Sequence, residues 1–145
     1  MERKMFCFQC EQTAACTGCI GKAGVCGKPA DVAQLQDELT GALVGLARAT
    51  DGGMQETPEA WHLMIEGLFT TVTNVNFNEK TIRELIGRVH AEKARLVPDC
   101  AGCAAPCGRT SDYDMNRLWS ADEDIRSLKS LILFGVRGMA AYAHH

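Results

Sequence analysis

No stretch of this 145-residue chain approaches the ~20 consecutive apolar residues that a membrane span requires. The start, Met1 to Cys7, carries charge but no apolar h-region, so it does not read as a secretory signal. Basic residues are not in excess either: 15 Lys and Arg stand against 18 Asp and Glu, for a net charge of −3. With no run of Lys and Arg, the chain lacks an electrostatic footprint for nucleic acid. Strand-like alternation, solenoid-length repeats and low-complexity tracts are also missing. The expected compartment is therefore the cytoplasm, where thiols stay reduced.

Against that background, eight cysteines stand out. In a reducing compartment a disulfide framework explains them poorly, and metal ligation or redox chemistry explains them better. Hydrophobic residues at 46% and charged residues at 23% are otherwise those of an ordinary globular domain.

The expected fold is all-α, a bundle of about four helices behind a Cys-rich amino-terminal loop. Residues 1–28 form that loop and 29–145 the bundle, one structural domain overall. The first helix follows Pro29 and runs to about Ala49, with Val32, Leu35, Leu39, Leu43 and Leu46 on one face and Asp51-Gly52-Gly53 as its stop. Thr57 and Pro58 open the second, which Leu63, Met64, Leu68, Val72 and Val75 continue. The third starts at Asn78 and ends before Pro98. A loop over 98–119 precedes the fourth, whose capping box is Ser120 with Glu123. Its expected inner stripe is Ile125, Leu128, Ile132, Val136, Met139 and Tyr142, with Gly135 and Gly138 suited to close helix contact. That stripe runs almost to His145 without a stop signal, the pattern of a helix interrupted as much as of a frayed end.

Five cysteines crowd between Cys7 and Cys26. Cys7-x2-Cys10 presents two thiolates across a short turn, Cys19 follows after eight intervening residues and Cys26 after six more. Gly18, Gly21, Gly24 and Gly27 would allow backbone to approach a cluster closely and to take positive φ. Lys28 would tune its potential. By spacing alone, Cys7, Cys10, Cys16 and Cys19 also form paired knuckles for a four-thiolate zinc site, and both metals remain open.

The run Met5-Phe6-Cys7-Phe8-Gln9-Cys10-Glu11-Gln12-Thr13, with Gly18-Cys19 and Gly24-Val25-Cys26-Gly27-Lys28-Pro29, resembles the amino terminus of the hybrid-cluster proteins, also called hydroxylamine reductases. The likeness continues through Leu35-Gln36-Asp37, Leu68 to Phe77, Glu123 to Lys129 and Ala140-Ala141-Tyr142. It implies that Cys7, Cys10, Cys19 and Cys26 hold a proximal [4Fe-4S] cluster and that Cys16 is not a ligand. It further implies an oxidoreductase feeding electrons to a hybrid iron–sulfur–oxygen cluster that reduces hydroxylamine to ammonia. Family members are several times longer, and that second cluster is expected only in segments with no counterpart here. This chain by itself is then not competent in catalysis and has no catalytic residue to assign.

A second thiol group, Cys100-x2-Cys103-x3-Cys107, could bind metal with Cys16 as fourth ligand or bind nothing. Expected partners are an electron-donor protein and, through the fourth helix, a complementary chain or a second copy. A non-catalytic zinc- or cluster-stabilised module for assembly or redox sensing is the alternative function. The remaining candidates are bland. His62 and His90 read as surface or core-edge residues, His144 and His145 as an adventitious metal binder, and Trp61 and Trp119 as packing residues. Pro29 stands where a phosphate loop needs Ser or Thr, and no nucleophilic triad can be assembled.

Overall fold

Pro29 leaves its carbonyl free to accept the Ala33 amide at 3.0 Å, and the chain winds into α1, Ala30–Thr50. The computed structural model describes residues 4–10, 17–50, 57–72, 75–97 and 111–145. The apolar positions expected on α1, Val32, Leu35, Leu39, Leu43 and Leu46, are all buried. They pack with Leu63 of α2, Pro58–Thr70, and with Ile82, Leu85 and Val89 of α3, Glu79–Leu96, to form the main core. Truncating one such Leu to Ala typically costs about 2–5 kcal/mol, since the cavity left behind closes only in part.

The caps explain where these helices begin. Thr57 Oγ1 accepts the Ala60 amide at 3.1 Å and Asn78 Oδ1 accepts the Thr81 amide at 3.3 Å. The second helix ends earlier than expected. Thr71 turns its amide toward the Gly67 and Leu68 carbonyls and donates its hydroxyl to Leu68 O at 2.8 Å, which tightens the last turn. Val75 lies beyond that turn and is exposed. The Asp51-Gly52-Gly53 stop lies outside the described residues.

The carboxyl-terminal third departs further from expectation. One helical turn, α4 at Asn116–Trp119, occupies part of the expected loop, and α5 spans Glu123–His144, so the described residues contain five helices, four of them long. Ser120 does not cap α5. Its hydroxyl donates to Asn116 O at 2.7 Å, closing α4 instead, and Asp122 takes the N-cap position. Of the α5 stripe, Ile125, Leu128 and Ile132 are exposed rather than packed, while Met139 and Tyr142, in the stretch from Val136 onward expected to lack a packing partner, are exposed and Val136 is half-buried. Arg137 and Ala140 face inward instead. Arg137 sets this rotation, donating from Nε to Thr71 Oγ1 at 2.9 Å and from Nη2 to Thr40 Oγ1 at 3.1 Å. Nothing lies within 4 Å of a Cβ built on Gly135 or Gly138, so neither makes a close helix contact. Trp61 is likewise exposed rather than packed.

Among the described residues there is no strand, only an isolated antiparallel bridge between Cys7 and Cys19. No helix there is long and apolar enough to cross a membrane. The amino-terminal loop sits against α1 and α4. Phe6 and Phe8 lie 6.0 and 5.8 Å from the Trp119 ring by centroid, in a small second core with Met115 and Leu118. The segment before α4 is tied to α1 by the Tyr113 amide on Gly41 O at 3.0 Å. That approach requires glycine, because a Cβ at residue 41 would collide with the Tyr113 carbonyl oxygen.

Candidate metal centre

Two threads of the amino-terminal loop run side by side. Cys7 N–H donates to Cys19 O at 3.1 Å and Cys19 N–H to Cys7 O at 2.8 Å. Gly18 permits this pairing: its φ is 68°, and a Cβ there would stand 2.7 Å from the Cys7 carbonyl oxygen. Of the glycines expected to take positive φ, only Gly18 and Gly27 do so. The Gly27 amide turns back to Gly24 O at 2.9 Å, and the Gly24 amide reaches Lys28 O at 2.8 Å. This tight turn carries Cys26. A Cβ at residue 24 would stand 3.3 Å from Cys26 Sγ and 3.4 Å from Met5 Cε, so the bare glycine leaves that sulfur room.

Cys7 is buried, while Cys10, Cys19 and Cys26 are half-buried. Met5, Cys7 and Ala33 pack with Cys19 as a third apolar patch. Burial pushes the Cys7 thiol up, Lys28 opposes it, and nearby Cys10 adds to the rise. Cys10 opens onto a cavity of about 270 Å³ between the loop and α5, which Phe134 and Arg137 also line. Cys7 is thus paired with Cys19, near Cys10 and within 3.7 Å of Lys28, while Cys26 sits on the adjoining glycine turn.

A polar chain backs this loop. Lys28, 1% exposed, donates to Cys7 Sγ at 3.7 Å and to Gln9 Oε1 at 3.1 Å. Gln9 Nε2 donates to Asp37 Oδ1 at 2.8 Å, and Trp119 Nε1 donates to Asp37 Oδ2 at 2.8 Å. Burial pushes the Asp37 carboxyl up, against the pull of Trp119, Gln9, Arg137 and Lys28. Burial likewise lowers the Arg137 guanidinium, against the pull of Asp37 and Cys7. Two buried cations thus stand beside the cysteines with no direct ion pair to the nearby Asp37 carboxylate among the described residues.

Cys16, Cys100, Cys103 and Cys107 lie outside the described residues, and so does any site they make. Among the described residues, no three His, Cys, Asp or Glu side chains gather closely enough to hold a single metal ion. A cubane makes a different demand, because each thiolate binds its own iron at a separate corner. Four thiol donors and the bare Gly24 beside Cys26 Sγ are compatible with such a group. His62 and His90 are exposed, as expected; His90 Nε2 lies 2.8 Å from Asp112 Oδ2.

Sequence reasoning missed Gln9, Asp37 and Arg137 as parts of this region and gave Trp119 packing alone. The available signal was weak: Ala33, Asp37 and Thr40 recur at helical spacing on α1, beside the leucine face.

Comparison with known proteins agrees with the loop's pattern. The model of the Prismane/CO dehydrogenase family matches residues 5–145. The hydroxylamine reductase of Clostridium perfringens (strain 13 / Type A) is 39% identical over 162 residues, covering 97% of this chain and 29% of that protein. That of Clostridium novyi (strain NT) is 36% identical, with the same coverage. The hydroxylamine reductase of Porphyromonas gingivalis (strain ATCC BAA-308 / W83) is 38% identical, covering 100% of this chain and 30% of that protein. The chain spans about three tenths of the length of these relatives. By the match along nearly all its residues, the chain belongs to the Prismane/CO dehydrogenase family.

Proposed function

We propose that Cys7, Cys10, Cys19 and Cys26 hold a [4Fe-4S] cluster and that the chain is the electron-transfer portion of a hydroxylamine reductase. Proteins of this family are iron–sulfur metalloproteins. When bound, the group supplies one-electron transfer. Cys7 and Cys19 present thiolates from two paired threads, Cys10 from the edge of the groove facing α5, and Cys26 from the glycine turn. The observation that carries this reading is the charge around them. Lys28 and Arg137 are buried beside the cysteines, and Asp37 feels both charges without pairing directly with either. Burying cations is costly unless anions compensate. Four thiolates on a cluster supply that negative charge.

Four cysteine ligands leave no open position for substrate, and reduction of a substrate at a metal needs one. Hydroxylamine reduction is therefore assigned to a hybrid cluster elsewhere in the family architecture, with electrons arriving from a donor protein. The exposed face of α5 is assigned to contact with another polypeptide surface. The test is an anaerobic assay with reduced viologen and hydroxylamine. The chain is expected to take up and release electrons without forming ammonia. Steady ammonia formation over many turnovers, lost on Cys7→Ser, would refute the relay assignment.

A further inference from the structure

Lys28 is placed unusually for a buried cation. It is 1% exposed, and no carboxylate among the described residues lies within ion-pair distance of it. Its partners are Gln9 Oε1 at 3.1 Å and Cys7 Sγ at 3.7 Å. A neutral thiol compensates an ammonium poorly, whereas a thiolate does so well. The lysine is not free to turn elsewhere. Gln9, which accepts its hydrogen bond, donates to Asp37, and Asp37 accepts from the Trp119 indole of α4. Trp119 is itself wedged against Phe6 and Phe8 on either side of Cys7. Five groups from the loop, α1 and α4 thus form one rigid line ending on a single sulfur.

We propose that Lys28 is the positioning cation of the site, pinned by the Gln9–Asp37–Trp119 chain against Cys7 Sγ so that its charge favours the reduced state of a cluster bound there. The proposal rests on the four-cysteine reading above. Reduction transfers one electron from a low-potential one-electron donor to the iron–sulfur core and takes up no proton at Lys28. With a cluster held by Cys7, the added negative charge would be felt by an ammonium placed 3.7 Å from Cys7 Sγ in a poorly solvated setting, where attraction is stronger than in water. Arg137, lining the Cys10 groove, adds a second buried positive charge.

The test compares the reconstituted wild-type chain with Lys28→Met, Lys28→Gln and Lys28→Arg. Iron and sulfide contents are measured first, then the midpoint potential by anaerobic titration followed by electron paramagnetic resonance. With iron retained, both neutral variants should favour oxidation by about tenfold, a shift of about 59 mV to more negative potential for one electron. Arg should hold the potential near that of wild type. Unchanged potential in a neutral variant with full iron would overturn the proposal. If both neutral variants lose iron at unchanged helix content while Arg keeps it, the charge is again the required element. Loss in all three would show that lysine's shape, not its charge, matters, and would also overturn it. A wild-type chain that takes up no iron–sulfur cluster removes the four-cysteine reading itself, so the two failures are distinguishable.

Discussion

Asp112 joins two side chains with one carboxylate: it accepts from Lys93 Nζ and lies 2.8 Å from His90 Nε2. Burial alone would raise its carboxyl, but the hydrogen bonds and charges of Lys93 and His90 outweigh burial and bring it below the ordinary value of 3.8. A carboxyl depressed in the folded state adds stability above its unfolded pKa, and that stability is lost as pH falls through the folded value. Asp112 is 39% exposed although Lys93 is buried, and solvent screening on the carboxylate side limits the contribution to about 1 kcal/mol or less. Asp112→Asn should lower the thermal midpoint of the cluster-free chain at neutral pH, with the gap to wild type closing below about pH 3.8. A gap that stays constant to strongly acidic pH would show that the substitution acts through packing instead. The consequence reaches the candidate site, because Tyr113 next door is bonded to Gly41, one helical turn from Asp37.

At the scale of the element, α5 carries the least settled surface. Leu128, Leu131, Ile132, Phe134, Met139 and Tyr142 are exposed along it, Tyr142 at 89%. Apolar patches of this kind mark contact surfaces. The isolated chain is expected to self-associate at micromolar concentration in sedimentation experiments, and Leu131→Glu with Phe134→Glu should return it to monomer. A wild-type chain that stays monomeric at high concentration would rule out a second copy as the occupant. The same helix shows what the sequence conceals. Thr57, Asn78 and Pro29 mark helix starts because caps are local chemistry, readable within four residues. The inner face of α5 is not local: Arg137 is anchored 66 and 97 residues away, on Thr71 and Thr40, and no periodicity reveals that. Ser120 looked like a capping box but serves the short helix before it, a turn too brief to leave a pattern. In the candidate site, the cysteines, glycines and Lys28 could be singled out because they cluster in sequence. The Gln9–Asp37–Trp119 line was not, because its bonds span 28 and 82 residues.

Across the whole molecule, a leucine-rich bundle and a ligand-shaped loop divide the work. The core of α1, α2 and α3 is assembled from ordinary apolar burial, while the loop rests on one pair of bridge hydrogen bonds, a tight glycine turn and the Trp119 clamp. If the proposed cluster is bound, the loop is expected to depend on it, since metal binding and local folding are coupled where little core exists. The central claim is that Cys7, Cys10, Cys19 and Cys26 share one iron–sulfur cluster. Its most direct test is iron, sulfide and zinc analysis of the anaerobically purified chain and of the five individual Cys→Ser variants between Cys7 and Cys26. About four irons and four sulfides per chain are expected, lost in large part on replacing Cys7, Cys10, Cys19 or Cys26 and retained on replacing Cys16. Stoichiometric zinc without sulfide, emptied by Cys16→Ser and kept by Cys26→Ser, would contradict the account.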